Sequence, residues 1–159
     1  MPGWNHFDGR GNARMVDVSE KAVTCRIAEA SGIITMSREA LEQIQQKKIK
    51  KGDVLTVAQV AGIMAAKRTW ELIPMAHPLP LGGIALTFSV DEENCTIVAH
   101  CRVKIEGKTG VEMEALTGVS VALLTIYDMT KGIDRGMVLG QIRLEHKEGG
   151  RSGIYDREP

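Results

Sequence analysis

The chain has 159 residues, 43% of them hydrophobic and 25% charged, which is the size and composition of one globular domain and excludes a wholly disordered chain. Lys plus Arg and Asp plus Glu are 20 each, so no net charge draws the chain to nucleic acid or an anionic membrane. Aromatic residues, at 4%, are too few for the stacking surfaces of single-stranded RNA readers.

Residues 1–14 are rich in Gly, Asn and Arg without periodicity and predict a flexible N-terminal arm. They have no basic stretch followed by an apolar one, so no signal peptide is expected, and the chain reads as cytoplasmic. Apolar and polar residues roughly alternate over 21–36, predicting a strand with a bulge at Gly32. Ser37 is a candidate cap for a short helix bearing Ala40, Leu41 and Ile44 on one face. A basic run at 47–51 ends at Gly52, and Asp53 then caps a second helix expected to run to about Leu72, before Pro74. Its small residues Ala58, Ala61, Gly62, Ala65 and Ala66 predict close packing on a sheet.

A proline-rich loop over 74–80 leads to a hairpin, with strands at 84–90 and 96–105 around the turn residues 91–94. Gly107 to Gly110 precede a long helix over about 111–131, ended by Gly132. A last strand is expected at 138–147. The order, with the first helices counted as one crossover, is the βαββαβ pattern of a ferredoxin-like α+β sandwich with an extra helix in that crossover. The third helix is apolar nearly all round, with Val121 and Leu124 outside its core stripe, which predicts cover from another subunit.

Several polar groups stand out. Asp128 and Lys131, three apart on a helix, share a face and can pair, as surface ion pairs also do. Glu112 and Glu114 lie in the first turn of the same helix, where carboxylates also simply offset the helix dipole. Glu114 and Asp128 differ by only about 40° around the axis but by about 21 Å along it, so for both to serve one site an extended substrate or a second protomer is required. His77 is presented by three prolines. His6, His100 and His146 have no ligand-like spacing with it, so no metal site is expected. Lys51, Lys67 and Arg68 are either solvated charges or a phosphate clamp, and Lys147 with the tail at 149–153 either holds an anion or belongs to a flexible C-terminal end. Gly107-Lys108-Thr109 is not a Walker A loop, because position 102 is Arg102. Cys25, Cys95 and Cys101 include no C-x-x-C pair and read as small buried thiols in a reducing compartment.

The blocks Met15-Val-Asp-Val-Ser19, Lys51-Gly-Asp-Val54, Ala61-Gly-Ile63, Ala65-Ala-Lys-Arg-Thr69, Leu72-Ile-Pro74, His77-Pro-Leu79, Gly107-Lys-Thr-Gly-Val-Glu-Met-Glu-Ala-Leu-Thr117 and Tyr127-Asp-Met129 resemble the cyclic pyranopterin monophosphate synthase family, molybdenum cofactor biosynthesis protein C. The resemblance spans about residues 15–153, and the block at 107–117 is its most specific part.

It implies a single catalytic domain over 15–153 between the arm at 1–14 and a tail at 154–159. It also implies a homohexamer, a trimer of dimers with active sites at subunit interfaces. The implied substrate is 3′,8-cyclo-7,8-dihydroguanosine 5′-triphosphate from a preceding radical cyclase, converted to cyclic pyranopterin monophosphate and diphosphate. Asp128 and Lys131 match the family's catalytic pair. Met75, Ala76, His77, Met113 and Glu114 match substrate-binding segments, and Lys51, Lys67 and Glu112 match further pocket positions.

The reaction needs proton shuttles and charge neutralisation rather than redox, so no cofactor or metal is expected. Lys131 is the expected general acid/base, its pKa tuned by Asp128 and burial. Lys51, Lys67 and Lys147 are expected to neutralise the triphosphate. The family often has Cys where this chain has Ala76, so no thiol chemistry is assigned there. A nucleotide-sensing module without turnover is the alternative reading.

Overall fold

The computed structural model describes residues 6–150 and 153–158. Its elements are β1 (Thr24–Thr35), α1 (Arg38–Gln45), α2 (Val54–Lys67), α3 (Thr69–Leu72), β2 (Gly83–Asp91), β3 (Thr96–Gly107), α4 (Glu112–Thr130), β4 (Val138–Glu148) and β5 (Tyr155–Asp156). The strands form one antiparallel sheet in the order β2-β3-β1-β4-β5, and its first four members are the ferredoxin-like sheet expected from the element order.

Alternation along β3 shows how the layers form. Ile97, Ala99, Cys101, Val103 and Ile105 are buried beneath the helices, while His100, Arg102, Lys104 and Glu106 point to the opposite, open face. On that face Arg102 pairs with Glu29 at 3.2 Å and Arg143 with Glu145 at 2.8 Å. From above, α4 covers β1 and β3 with Ala115, Val119, Ala122, Leu123 and Ile126, all fully buried. The small residues of α2 let it lie directly against α4. A Cβ on Gly62 would overlap Leu86 and stand 2.7 Å from the carbonyl oxygen of Gly118.

One local expectation is refined and two are corrected. The bulge expected at Gly32 falls on the β4 side, where the register shifts between Ser31 and Ile33, while the pairing with β3 runs unbroken through Gly32 and Ala99. The irregularities lie between β1 and β4, and the extra residues are on β4, where Gln141 has φ 49°. Gly32 also admits α4, since a Cβ there would meet Val119 Cγ1 at 2.7 Å. The second helix does not run unbroken to Leu72. It breaks at Arg68, where the Thr69 hydroxyl donates to the Ala66 carbonyl at 3.0 Å. Cys25 is exposed rather than buried, because it pairs with Glu106 on the open side of the sheet, whereas Cys101 is buried.

The ends also carry structure. Phe7 bridges to Ala13 around a turn closed by Asp8. At the other end β5 pairs with His146 and Lys147, with Asp156 Oδ1 2.5 Å from His146 Nδ1. Arg151 and Ser152, in the glycine-rich stretch before it, lie outside the described residues.

Candidate functional site

The two ends of α4 carry two separate groups of polar residues. At its C-terminal end Lys131 Nζ donates to Asp128 Oδ1 at 2.7 Å. Lys51, from the loop between α1 and α2, donates to the Asp128 carbonyl at 2.8 Å and lies 3.5 Å from its carboxylate. The hydrogen bond and charge of Lys131, with the charge of Lys51, hold the Asp128 carboxyl below the usual carboxylate range. The same hydrogen bond pushes Lys131 above the ordinary lysine value. Asp128 outweighs the lowering effect of burial here, because the Lys131 side chain is 52% exposed in the single chain.

Beside this pair opens a cavity of about 580 Å³, bordered by Lys48, Lys50, Lys51, Lys131 and Arg135 over an apolar floor that includes Ile49 and Met129. The loop after α4 is fixed by Asp134, which accepts from the N–H of Ser37 and of Gly136, each at 2.7 Å. The Tyr127 hydroxyl adds a donor to the Arg135 carbonyl at 3.2 Å.

At the N-terminal end of α4 a cavity of about 270 Å³ brings together Met75, Ala76, His77, Met113 and Glu114, with His6 and Thr109 at its edge. Glu114 is only 4% exposed. Burial pushes its carboxyl up from 4.5 to about 7, and the neighbouring charge of Glu112 adds to the effect. His77 Nε2 lies 2.9 Å from the Val16 carbonyl. A carbonyl can only accept, so Nε2 carries the proton, and in the neutral ring Nδ1 is the acceptor.

Next to this cavity Glu112 pairs with Lys147 at 3.2 Å. The register Ala28↔Lys147 turns that lysine toward the helices. Lys67, at the end of α2, borders a third cavity of about 480 Å³, which shares Leu79 with the His77 cavity.

The structure thus joins Asp128, Lys131 and Lys51 in one group and Met75, Ala76, His77, Met113 and Glu114 in another. Glu112 and Lys147 flank the second group, and Lys67 lies on an adjoining cavity. Lys48, Lys50 and Arg135 were not singled out from the sequence; the basic run at 47–51 showed only as a charge cluster. Among the described residues no group of three or more His, Cys, Asp or Glu side chains is placed to hold a metal ion. Nor, among the described residues, is any helix long and apolar enough to cross a membrane.

Comparison with known proteins adds a consistent signal. The model of the MoaC family matches residues 15–150. A protein of Brevibacillus brevis is 57% identical over 152 residues, covering 96% of this chain and 94% of its own. One from Heliobacterium modesticaldum is 58% identical, with 96% of each chain covered. Another from Desulfitobacterium hafniense is 59% identical, with 96% of this chain and 93% of its own covered. All three bear the name cyclic pyranopterin monophosphate synthase. The match begins in the segment that accepts the His77 hydrogen bond and runs past the end of β4, taking in both groups of polar residues on α4, and it places the chain in the MoaC family.

Proposed function

We propose that this chain acts as its named relatives do, as a lyase that forms cyclic pyranopterin monophosphate for molybdenum cofactor biosynthesis. The substrate of the proposed reaction is 3′,8-cyclo-7,8-dihydroguanosine 5′-triphosphate. Its heterocycle is rebuilt to a pyranopterin. A sugar hydroxyl attacks the α-phosphate, breaking the bond to the β-phosphate and releasing diphosphate.

The observation that carries the site assignment is the Lys131–Asp128 contact at the rim of a strongly basic cavity. Lys131 starts as an ammonium held by Asp128 and serves as proton donor and then acceptor in the ring steps. Lys51 neutralises phosphate charge beside it, with Lys67 and Lys147 as further phosphate ligands. Met75, Ala76, His77, Met113 and Glu114 hold the heterocycle, with Glu112 orienting Lys147.

In this reading two chains contribute the two groups to one active site, and the working form is an oligomer, a homohexamer built as a trimer of dimers. Supporting this, Val57, Val60 and Met64 form an exposed stripe at helical spacing on α2, and Leu124 stands 56% exposed on α4. A cytoplasmic location fits a nucleotide handed on by a radical cyclase.

The test is incubation of the purified protein with the cyclised dihydroguanosine triphosphate, followed by mass detection of both products. Diphosphate and cyclic pyranopterin monophosphate should appear together. Lys131→Ala should abolish both while leaving the oligomer intact. Binding without products from the unaltered protein would instead identify a nucleotide sensor.

A further inference from the structure

The N-terminal segment is tied down at the mouth of the His77 cavity. Its carbonyls meet the body of the protein twice, Val16 at His77 Nε2 and Ser19 at Lys108 Nζ, at 2.9 and 2.6 Å. Ahead of these anchors the chain closes on itself. The Arg14 N–H donates to the His6 carbonyl at 2.8 Å, and Asp8 Oδ1 accepts from the N–H groups of Arg10 and Asn12. Gly11, at φ 84°, takes the left-handed conformation this tight loop requires.

The result is that His6 is held at the edge of the cavity that contains His77, Glu114, Met75 and Met113. Its side chain is exposed, and among the described residues its ring makes no hydrogen bond. A surface arm built by composition alone would not need such a loop. A neutral imidazole offers one donor and one acceptor, which complements the amide-like edge of a reduced purine or pterin. The apolar Met75, Met113 and Ile73 supply the flat walls for such a ring, and about 270 Å³ suits a single heterocycle rather than a whole nucleotide.

We infer that His6 is a further substrate-binding residue, presented by the closed loop of residues 6–14 to the heterocycle held by His77 and Glu114. This rests on the reading of that cavity as the heterocycle end of the active site. His6 acts in binding and not in the proton transfers, which belong to the Lys131 end.

The experiment compares the full-length protein with His6→Ala and His6→Gln in steady-state turnover of the cyclised dihydroguanosine triphosphate. His6→Ala should raise KM about three- to tenfold while kcat stays within about twofold, the size of one lost hydrogen bond in binding. His6→Gln should recover part of the loss, since an amide also offers a donor and an acceptor. The dissociation constant for cyclic pyranopterin monophosphate, read by calorimetry, should move by the same factor, and thermal unfolding should be unchanged because His6 is exposed. An unchanged KM and dissociation constant would overturn the inference, as would a fall in kcat alone. Failure of the unaltered protein to make product would instead remove the proposed activity, and the calorimetric comparison would still decide whether His6 binds.

Discussion

Lys51 and Asp128 are 77 residues apart in sequence, yet the lysine donates to the aspartate's own carbonyl at 2.8 Å and faces its carboxylate at 3.5 Å. One cation thus satisfies a carbonyl in the last turn of α4, where backbone acceptors lack helical partners, and also sets the charge beside Lys131. Lys51→Ala should lower kcat/KM by about tenfold or more through lost phosphate neutralisation, as at other charged-group contacts in active sites. Circular dichroism and thermal unfolding should stay close to the unaltered protein, since these ion pairs are exposed. A large loss of stability would make Lys51 a structural brace instead.

Lys131→Arg separates proton transfer from charge. A guanidinium retains the positive charge beside Asp128 but does not give up its proton near neutral pH. If Lys131 works as acid and base, the variant should lose about a hundredfold or more in turnover, the usual size of such catalysis, while still binding substrate. Near-normal turnover would leave Lys131 a purely electrostatic role.

Glu114 makes stability depend on pH. Its carboxyl rises from 4.5 to about 7 in the folded chain, so the folded state holds a proton that the unfolded state releases between those values. Folding is then unpenalised below about pH 4.5, weakens as pH rises toward 7 and bears the full cost above it, about 3 kcal/mol. Glu114→Gln should therefore be more stable than the unaltered chain at pH 8, with the advantage disappearing near pH 4.5. Urea unfolding at the two pH values checks this, and the same variant should bind the heterocycle less well.

Gly62→Ala should cost about 1–3 kcal/mol, the range for overfilling a packed interior. The added carbon meets the backbone oxygen of Gly118, which cannot rotate away, so α2 must move from α4. A drop in the thermal midpoint without lost helicity is expected; no change would mean that the helix contact is looser than it looks.

The long helix was legible almost to the residue, 111–131 expected against Glu112–Thr130, because Gly107 to Gly110 precede it and Gly132 follows it. The break at Arg68 was not, since it depends on the Thr69 hydroxyl reaching Ala66 inside the packed helix layer. Nor was β5, two residues paired with His146 and Lys147 and joined by the Asp156–His146 contact, too short for any alternation to show. The division of the candidate site followed from helical rise alone, which puts Glu114 and Asp128 at opposite ends of one rod. His6 was weighed only as a metal ligand, because its place depends on Val16 and Ser19 meeting residues distant in sequence. Periodicity carries no trace of such pairings.

The span of α4 has a genetic consequence. If each active site takes its Lys131 end from one chain and its Glu114 end from another, a chain damaged at one end still carries an intact other end. Mixed in equal amounts, inactive Lys131→Ala and Glu114→Ala chains should assemble about a quarter of their sites from two undamaged halves, by random association. Two alleles, each dead alone, should therefore rescue each other in one cell, whereas two alleles damaged at the same end should not.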